Sequence, residues 1–331
     1  MENTMKSLFN FDEVSALIRS GKVLVLAGDE ALLKKLPHGQ WIGGTIPYFM
    51  SERGGLLTHD EIQVTQFPDI ISDINIRFYS ENDLEKIPQN YSSNGVNFCL
   101  IPAQTGVHRK YAEECSTWTG IFDRPLLGWI TGVDLKDLGK ITPKVINGKT
   151  GEVQDNQALV MHMQLPENKY GKINIINLFK QGSGDTITFP DAGFLVQDCF
   201  INGVKRNFSE YLKEKAINTQ LPLVADYMGT MVNVSFQAVD EAKKTVALYA
   251  PVFPMIEYKV ASPIGNYEKE FEAELVKHKI SPVFSCNCIL NYLYAGLEGK
   301  KTGNIVGPIT FGEIAYMLLN QTMVYLTFEN K

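Results

Sequence analysis

Cys286 and Cys288 stand one residue apart in the stretch VFSCNCILNYLYAGLEG, and cysteines at this spacing could do chemistry. Two thiolates can hold a metal ion, form a redox pair or supply a nucleophile. A structural zinc ion needs about four ligands, and the sequence has no second pair of the C-x-x-C or H-x-x-x-H type. A disulfide between neighbours this close would close a small, strained ring. Zinc and disulfide chemistry are therefore disfavoured.

A catalytic thiol is the third use of these cysteines. Either one would lie where a strand meets a helix, and a helix N-terminus lowers the pKa of a thiol. A nucleophile also needs a base, and His278 lies on the preceding helical stretch while other histidines could approach only through the fold. A thiol-dependent enzyme using Cys286 or Cys288 thus stays open, with Cys286 as the candidate catalytic residue. The alternative is that both are small, half-buried residues at a turn whose backbone N–H groups bind a ligand.

Glu313 and the histidines are the other candidates for chemistry. Glu313 follows two glycines in GPITFGE, where it could accept a hydrogen bond from a ligand ammonium group or simply cap a turn. His162 lies in the strand-like LVMHMQL and could ligate haem, although a lone histidine there is more often a hydrogen-bonded core or surface residue. A haem-based gas sensor is therefore a further hypothesis. The remaining histidines are scattered: His38, His59, His108 and His278.

The composition excludes several classes of protein. The chain has 331 residues, of which 44% are hydrophobic, so a sizeable core is expected. The net charge of -6, without a lysine and arginine cluster, argues against nucleic-acid binding. The N-terminal stretch lacks the apolar core of a secretory signal, and no apolar run is long enough to span a membrane. We expect a cytoplasmic protein with five reduced cysteines.

Three segments of the chain share one order of elements: strand, short turn, helix and a strand interrupted by glycine. They run from VLVLAGD to WIGGTI, from VNFCLIP to RPLLGWITGV, and from VFSCNC to IVGPIT. The first and third are the closest pair, and each is followed by one more strand, EIQVTQF or MVYLTF. This order predicts parallel strand pairing and two related halves.

The middle of the chain has a different pattern. Short β-like runs separated by the turn signals KYGK, QGSGD and NG predict hairpins, and DEAKK predicts a turn between two further strands. SEYLKEKAI predicts a helix with Ser209 as its N-cap. Together the patterns predict an α+β fold of two topologically related lobes, with mixed sheets and outer helices. We place the lobes at residues 1–188 and 189–331.

Several of these stretches resemble the FIST family of sensory modules. Phe284-Ser285-Cys286 is similar to the strand that ends in F-S-C in that family, and GPITFGEIAYMLLNQT is similar to its later G…GE…N-x-T stretch. Asn202-Gly203 and Tyr211 resemble its turn and following helix. In the first half, WIGGTIPYF resembles the family's glycine-rich stretch, although Pro47-Tyr48-Phe49 replaces its Gly-Glu. The resemblance extends over residues 20–328.

The resemblance implies a stand-alone sensory protein that binds a small polar metabolite, such as an amino acid, without catalysis. Such a protein has a small-molecule ligand and a signalling partner of unknown identity, and we expect no cofactor, no metal ion, no nucleic acid and no membrane contact. Glycine-rich turns at strand ends are where α/β folds bind ligands. We therefore expect the stretches SCNC, GPITFGE and GGTIPY to converge at such a site. The expected ligand-binding residues are Gly43, Gly44, Thr45, Ser285, Cys286, Asn287, Gly307, Thr310, Gly312 and Glu313.

Overall fold

The protein is described by a computed structural model that covers residues 6–227, 229–278 and 282–331, with only the backbone described at residues 277 and 278. Helices and several mixed sheets are combined in it, so the prediction of an α+β fold is confirmed. The helices are α1 (Phe11–Arg19), α2 (Glu30–Leu33), α3 (Gly106–Glu114), α4 (Phe208–Glu214), α5 (Tyr267–His278) and α6 (Ile289–Tyr294). Short 3-10 turns occupy Leu84–Asn90, Cys115–Thr117 and Leu135–Asp137.

The strands are short and distributed along the whole chain. Those of the first half are β1 (Leu8–Phe9), β2 (Leu24–Gly28), β3 (Trp41–Thr45), β4 (Tyr48–Ser51), β5 (Gly54–Leu57), β6 (Ile62–Gln66), β7 (Asp73–Tyr79), β8 (Gly95–Pro102), β9 (Leu126–Thr131), β10 (Val145–Asn147), β11 (Glu152–Gln154), β12 (Ala158–Gln164) and β13 (Lys169–Ile176). Those of the second half are β14 (Ile187–Thr188), β15 (Gly193–Val196), β16 (Asp198–Ile201), β17 (Val204–Asn207), β18 (Leu223–Tyr227), β19 (Thr230–Val234), β20 (Phe236–Asp240), β21 (Thr245–Val252), β22 (Tyr258–Val260), β23 (Phe284–Cys288), β24 (Gly307–Thr310), β25 (Glu313–Ala315), β26 (Met317–Leu319) and β27 (Met323–Asn330).

The three segments of similar element order fold into the same arrangement of strands. In each, a helix connects two parallel strands: α2 connects β2 to β3, α3 connects β8 to β9, and α6 connects β23 to β24. In each, a later strand pairs antiparallel with the first strand: β6 with β2, β12 with β8, and β27 with β23. The predicted parallel pairing is therefore confirmed, and the repeated unit occurs three times within the described residues.

The sheets combine distant parts of the chain. One has the order β1-β6-β2-β3-β10-β11, a second β26-β25-β9-β8-β12-β7, and a third β13-β27-β23-β24-β4-β5. The last two include strands from both sides of residue 188. Two further sheets, β17-β16-β14-β22-β18-β19 and β15-β21-β20, are formed entirely by strands between residues 187 and 260. The lobe boundary at residue 188 stays a prediction.

The structure confirms one local prediction, the Asn202-Gly203 turn, and corrects another, the N-cap of α4. Asn202 and Gly203 both have positive φ and form the turn between β16 and β17, as expected for Asn-Gly in a type I′ hairpin. Asn207 caps α4 by accepting from the Glu210 N–H, so the prediction of Ser209 as the N-cap is wrong. Asn207 lies two residues before Ser209 and has the extended backbone that an N-cap requires, whereas Ser209 already lies inside the helix.

Two other element predictions need correction. KYGK was predicted as a turn, but it lies within β13, which pairs with β27 along its whole length. The apolar spacing of Ile289, Leu293 and Leu297 predicts a helix that continues to Leu297, but α6 ends at Tyr294 and Gly296 adopts a φ of 59°. A glycine in the left-handed region is a common helix terminator. The DEAKK turn between β20 and β21 is confirmed.

Candidate functional site

Three of the predicted site residues, Gly44, Thr45 and Glu313, meet at the end of β9, the strand that follows α3. The backbone of Glu313 pairs with that of Trp129, and a Cβ atom placed on Gly44 would lie 2.6 Å from the Thr131 side chain. The Thr45 carbonyl accepts a hydrogen bond of 2.8 Å from the N–H of Gly132. The glycine stretch of the first unit and the GPITFGE stretch of the third thus pack on the same strand.

Five of the remaining predicted residues lie on β23 and β24, beside this contact: Ser285, Cys286, Asn287, Gly307 and Thr310. The Ser285 hydroxyl donates to the Val306 carbonyl at 2.7 Å. A Cβ atom on Gly307 would lie 1.9 Å from the Ser285 carbonyl oxygen, so glycine is needed where the two strands approach. Gly43 of β3 and Gly312, between β24 and β25, are less crowded: a Cβ atom would lie 3.1 Å from the Trp41 side chain and 2.9 Å from that of Leu318, respectively. These glycines serve close packing of strands in this structure.

Glu313 is a fully buried carboxyl group held by two threonines. Its Oε2 atom accepts from the Thr322 hydroxyl at 2.7 Å and from the Thr322 N–H at 3.2 Å, and Thr310 donates to Oε1 at 3.4 Å. Burial raises its pKa to about 8, although these hydrogen bonds and one from Cys288 act in the opposite direction. Glu313 therefore packs inside the protein and lines none of the cavities described below.

Cys286 and Cys288 are also buried, with 2% and 1% of their surface exposed. The sequence predicted that Cys286 or Cys288 lies where a strand meets a helix; Cys288 is the N-cap residue of α6, and its thiol makes no capping hydrogen bond. Burial, together with the charge of Glu313, raises the pKa of both thiols well above the ordinary value. A protonated thiol is a poor nucleophile, so this arrangement does not favour thiol catalysis.

His162, the candidate haem ligand, is hydrogen-bonded inside the core. His162 is held by Asn97 at 2.6 Å and Tyr79 at 2.8 Å, one partner on each ring nitrogen, and burial lowers its pKa to about 4. This leaves neither nitrogen free for a haem iron. His278 has a side chain outside the described residues.

A cavity of about 380 Å³ opens where the second and third units meet, and we name it the strand-end cavity. One wall is the turn from β8 into α3, and the opposite wall is the start of α6, directly after Cys288. Phe311 of the GPITFGE stretch also lines it. Most of its lining is apolar, including Leu135, Phe194, Leu248, Ile289, Leu290 and Phe311, and its polar groups include Gln104, Thr105, His108, Arg109 and Tyr249.

Among the described residues that line this cavity, His108 carries a buried side-chain nitrogen without a hydrogen-bond partner. Its Nδ1 atom accepts from the N–H of Gln104 at 3.2 Å, and burial lowers its pKa to about 4. The neutral ring must then carry its hydrogen on Nε2, and that atom is buried without a hydrogen-bond partner among the described residues. Gln104 has a φ of 61°, an uncommon value for a residue other than glycine. The turn thus holds a buried hydrogen-bond donor that has no acceptor in the part of the chain that the structure describes.

A second opening lies at the equivalent turn of the first unit and includes the predicted residue Thr45. It has a volume of about 500 Å³ and contains His59, whose Nδ1 and Nε2 atoms lie 2.9 Å from Asp29 and 3.2 Å from Asp134. The hydrogen bond with Asp29, followed by that with Asp134, raises the pKa of His59. Both ring nitrogens are occupied, so His59 acts here as a bridge between two turns.

The comparisons with known proteins point to one family. The model of a family of unknown function, DUF6976, matches residues 9–329. The chain belongs to DUF6976. No curated protein matches the sequence. The resemblance of this DUF6976 member to FIST modules stays a prediction.

Two further observations describe this DUF6976 chain. Within residues 6–227, 229–278 and 282–331, no group of three or more His, Cys, Asp or Glu side chains is placed to hold a metal ion. Over the same described part of the chain, no helix combines the length and apolar character needed to cross a membrane.

Sequence reasoning missed His108 and Gln104, which lie in the second of the three similar segments. The signal was present, because AQTGV stands between a predicted strand and a predicted helix, as the turn after SCNC does. Comparing all three strand-to-helix turns, rather than the closest pair, would have pointed to this position.

Proposed function

We propose that this protein binds a small carboxylate-bearing metabolite with an apolar body, such as an amino acid with an aliphatic side chain, in the strand-end cavity. The observation that carries this proposal is the neutral His108 ring, whose Nε2–H donor has no acceptor in a mostly apolar cavity. A buried donor without an acceptor costs about 1–3 kcal/mol, and a ligand oxygen would recover that energy.

The other lining residues define what accompanies the ligand oxygen. Arg109 lines the same cavity from the next position of α3 and adds a positive charge, which favours a carboxylate over a neutral carbonyl. Leu248, Leu290 and Phe311 offer apolar surface for the rest of the ligand. Cavities of about 300–1,000 Å³ with few polar groups in an apolar lining are typical of small-molecule sites.

A non-catalytic, sensory role is part of the same proposal. Glu313, Cys286 and Cys288 are buried and protonation of the thiols is favoured, which supports binding rather than covalent chemistry. The strand-end cavity touches α6 and the turn at Leu135, so a bound ligand would contact two of the three repeated units at once. We place this sensor in the cytoplasm with a signalling partner that reads the ligand-bound state.

The test is a calorimetric titration with L-leucine, 4-methylpentanoate and 4-methylpentanol at pH 7. Both carboxylates should bind saturably, and the alcohol more weakly. His108→Phe preserves an aromatic ring but removes the donor, and it should weaken carboxylate binding about 10-fold or more. Arg109→Gln, at an exposed position, is the second variant and should weaken carboxylate binding without affecting the alcohol.

Leu293→Trp provides the control for location, because Leu293 lines the strand-end cavity at a 43% exposed position, where a larger side chain can narrow the cavity without disturbing the core or the His108 ring. It should abolish binding of all three compounds while circular dichroism shows a folded protein. Absence of saturable binding by any carboxylate, or equal binding by wild type and His108→Phe, would overturn the proposal.

A further inference from the structure

A second cavity lies on the opposite side of α6, and we name it the amide cavity. It has a volume of about 370 Å³ and is bounded by α6, the first turn of α5 and the loop around residues 218–221. Ile289, Leu290 and Leu293 of α6 face the strand-end cavity, whereas Asn291, Tyr294 and Ala295 face the amide cavity. The same short helix therefore separates an apolar cavity from a polar one.

Asn291 lines this cavity and has an unpaired, buried carbonyl oxygen. Only 2% of the residue is exposed, and its Oδ1 atom has no hydrogen-bond partner among the described residues. The orientation of the amide is forced by its neighbour. Asn287 Oδ1 accepts from the N–H of Cys288 at 2.8 Å, so Asn291 must present its Nδ2 group to that oxygen, at 2.9 Å. Its own Oδ1 is left as an acceptor in need of a donor.

The other polar groups of the cavity are neutral or neutralised. Glu268 and Lys300 form an ion pair of 2.9 Å with each other, so they add no net charge. Asn218 and Asn266 use their Oδ1 atoms to accept N–H groups of their own turns, which leaves their Nδ2 groups as donors. Amide donors and a carbonyl acceptor together match hydroxyl groups, which both donate and accept.

Two tyrosines complete the lining. Tyr267 receives a hydrogen bond of 3.4 Å from the Asn287 side chain, which fixes its position beside Asn291. Tyr294 is 39% exposed and lines the cavity from the next turn of α6. Aromatic faces offer apolar surface next to polar edges, which suits a ring that carries hydroxyl groups.

We infer that the amide cavity is a binding site for a neutral polyhydroxylated small molecule the size of a monosaccharide or cyclitol, with one ligand hydroxyl donating to Asn291 Oδ1. Charged analogues fit less well, because the Glu268–Lys300 pair would have to be broken to neutralise an added charge. This site is separate from the strand-end cavity and does not depend on the function proposed for it.

The test uses the whole protein and saturation-transfer NMR with D-glucose and myo-inositol, alongside D-glucosamine and D-gluconate as charged analogues. At least one neutral compound should bind saturably and more tightly than both charged ones. Asn291→Leu should weaken that binding about 10-fold or more, as expected for loss of a buried hydrogen-bond acceptor. Tyr294→Ala should also weaken binding of the neutral compound. Because Tyr294 is partly exposed, this variant leaves the packing of the core intact.

Asn320→Leu is the matched control, because Asn320 is equally buried and also has an unpaired Oδ1 atom but does not line the cavity. It should leave binding unchanged, as should His108→Phe in the strand-end cavity. The inference is overturned if no neutral polyol binds saturably, if a charged analogue binds best, or if Asn291→Leu and Tyr294→Ala bind like wild type. Failure of carboxylate binding in the other cavity would leave these outcomes unaffected.

Discussion

At the scale of single residues, Glu313 shows how burial changes what a carboxyl group can do. In an open site it would be ionised and could pair with a ligand ammonium group, as the sequence suggested. Sealed among Thr310, Thr322 and Cys288, it instead keeps its proton into the neutral range, with a pKa of about 8. The raised pKa of Glu313 should therefore make the free energy of unfolding depend on pH.

Glu313 should make the protein less stable as pH rises. The folded pKa lies above the unfolded value of 4.5, so the folded state binds more protons between pH 4.5 and 8, and stability falls across that window. Glu313→Gln should flatten this loss, which amounts to a few kcal/mol on the scale of about 1.4 kcal/mol per pKa unit. Urea midpoints at pH 5, 6.5 and 8.5 measure it, with Glu85→Gln as an exposed control. An identical slope in wild type and Glu313→Gln would contradict the assignment.

The five cysteines should be unreactive in the folded protein. All five are buried free thiols, and a protonated, inaccessible sulfur reacts slowly with alkylating agents. We expect less than one thiol per chain to be labelled by iodoacetamide at pH 7.5 within minutes, and five after unfolding in urea. Mass spectrometry locates the label. Rapid modification of Cys286 or Cys288 alone would revive the thiol-enzyme hypothesis.

At the scale of elements, strand contacts depend on glycine at particular positions. Gly307 of β24 faces the Ser285 carbonyl of β23 so closely that a methyl group cannot be placed between them. We expect Gly307→Ala to destabilise the protein by on the order of 3 kcal/mol, at the upper end of overpacking costs. Gly184→Ala is the matched control, because a Cβ atom there meets no atom within 4 Å. Comparable urea midpoints for both variants would show that β23 and β24 can separate freely.

At the scale of the whole molecule, His59 connects two of the repeated units. It bridges Asp29, after β2, and Asp134, after β9. Lys136 and Tyr48 also contact Asp134. Burial raises the pKa of Asp134, but the hydrogen bonds from Lys136 outweigh burial and lower this pKa to about 2. The turn that carries Asp134 continues to Leu135, which lines the strand-end cavity. The bridge therefore lies beside both openings.

The His59 bridge should contribute stability at low pH and lose it at high pH. Its folded pKa is raised, so the contribution is fully present below the unfolded value of 6.5 and disappears as pH rises through the folded pKa. His59→Asn in a Glu313→Gln background removes the overlapping effect of Glu313. The midpoint of thermal unfolding of the double variant should vary less between pH 6 and 8.5 than that of Glu313→Gln alone. Equal variation in both would mean that the bridge does not form in solution.

The sequence by itself determined the α+β composition and the order of elements in the three repeated units. Those features follow from local apolar runs and turn residues, as in the strand VNFCLIP and the Asn202-Gly203 hairpin. Only the tertiary structure decided that β25 pairs with β9, that Glu313 is sealed from solvent, and that His108 and Asn291 face cavities on opposite sides of α6. Burial and cavities are made by residues far apart in the chain, and no local pattern records which of them will meet.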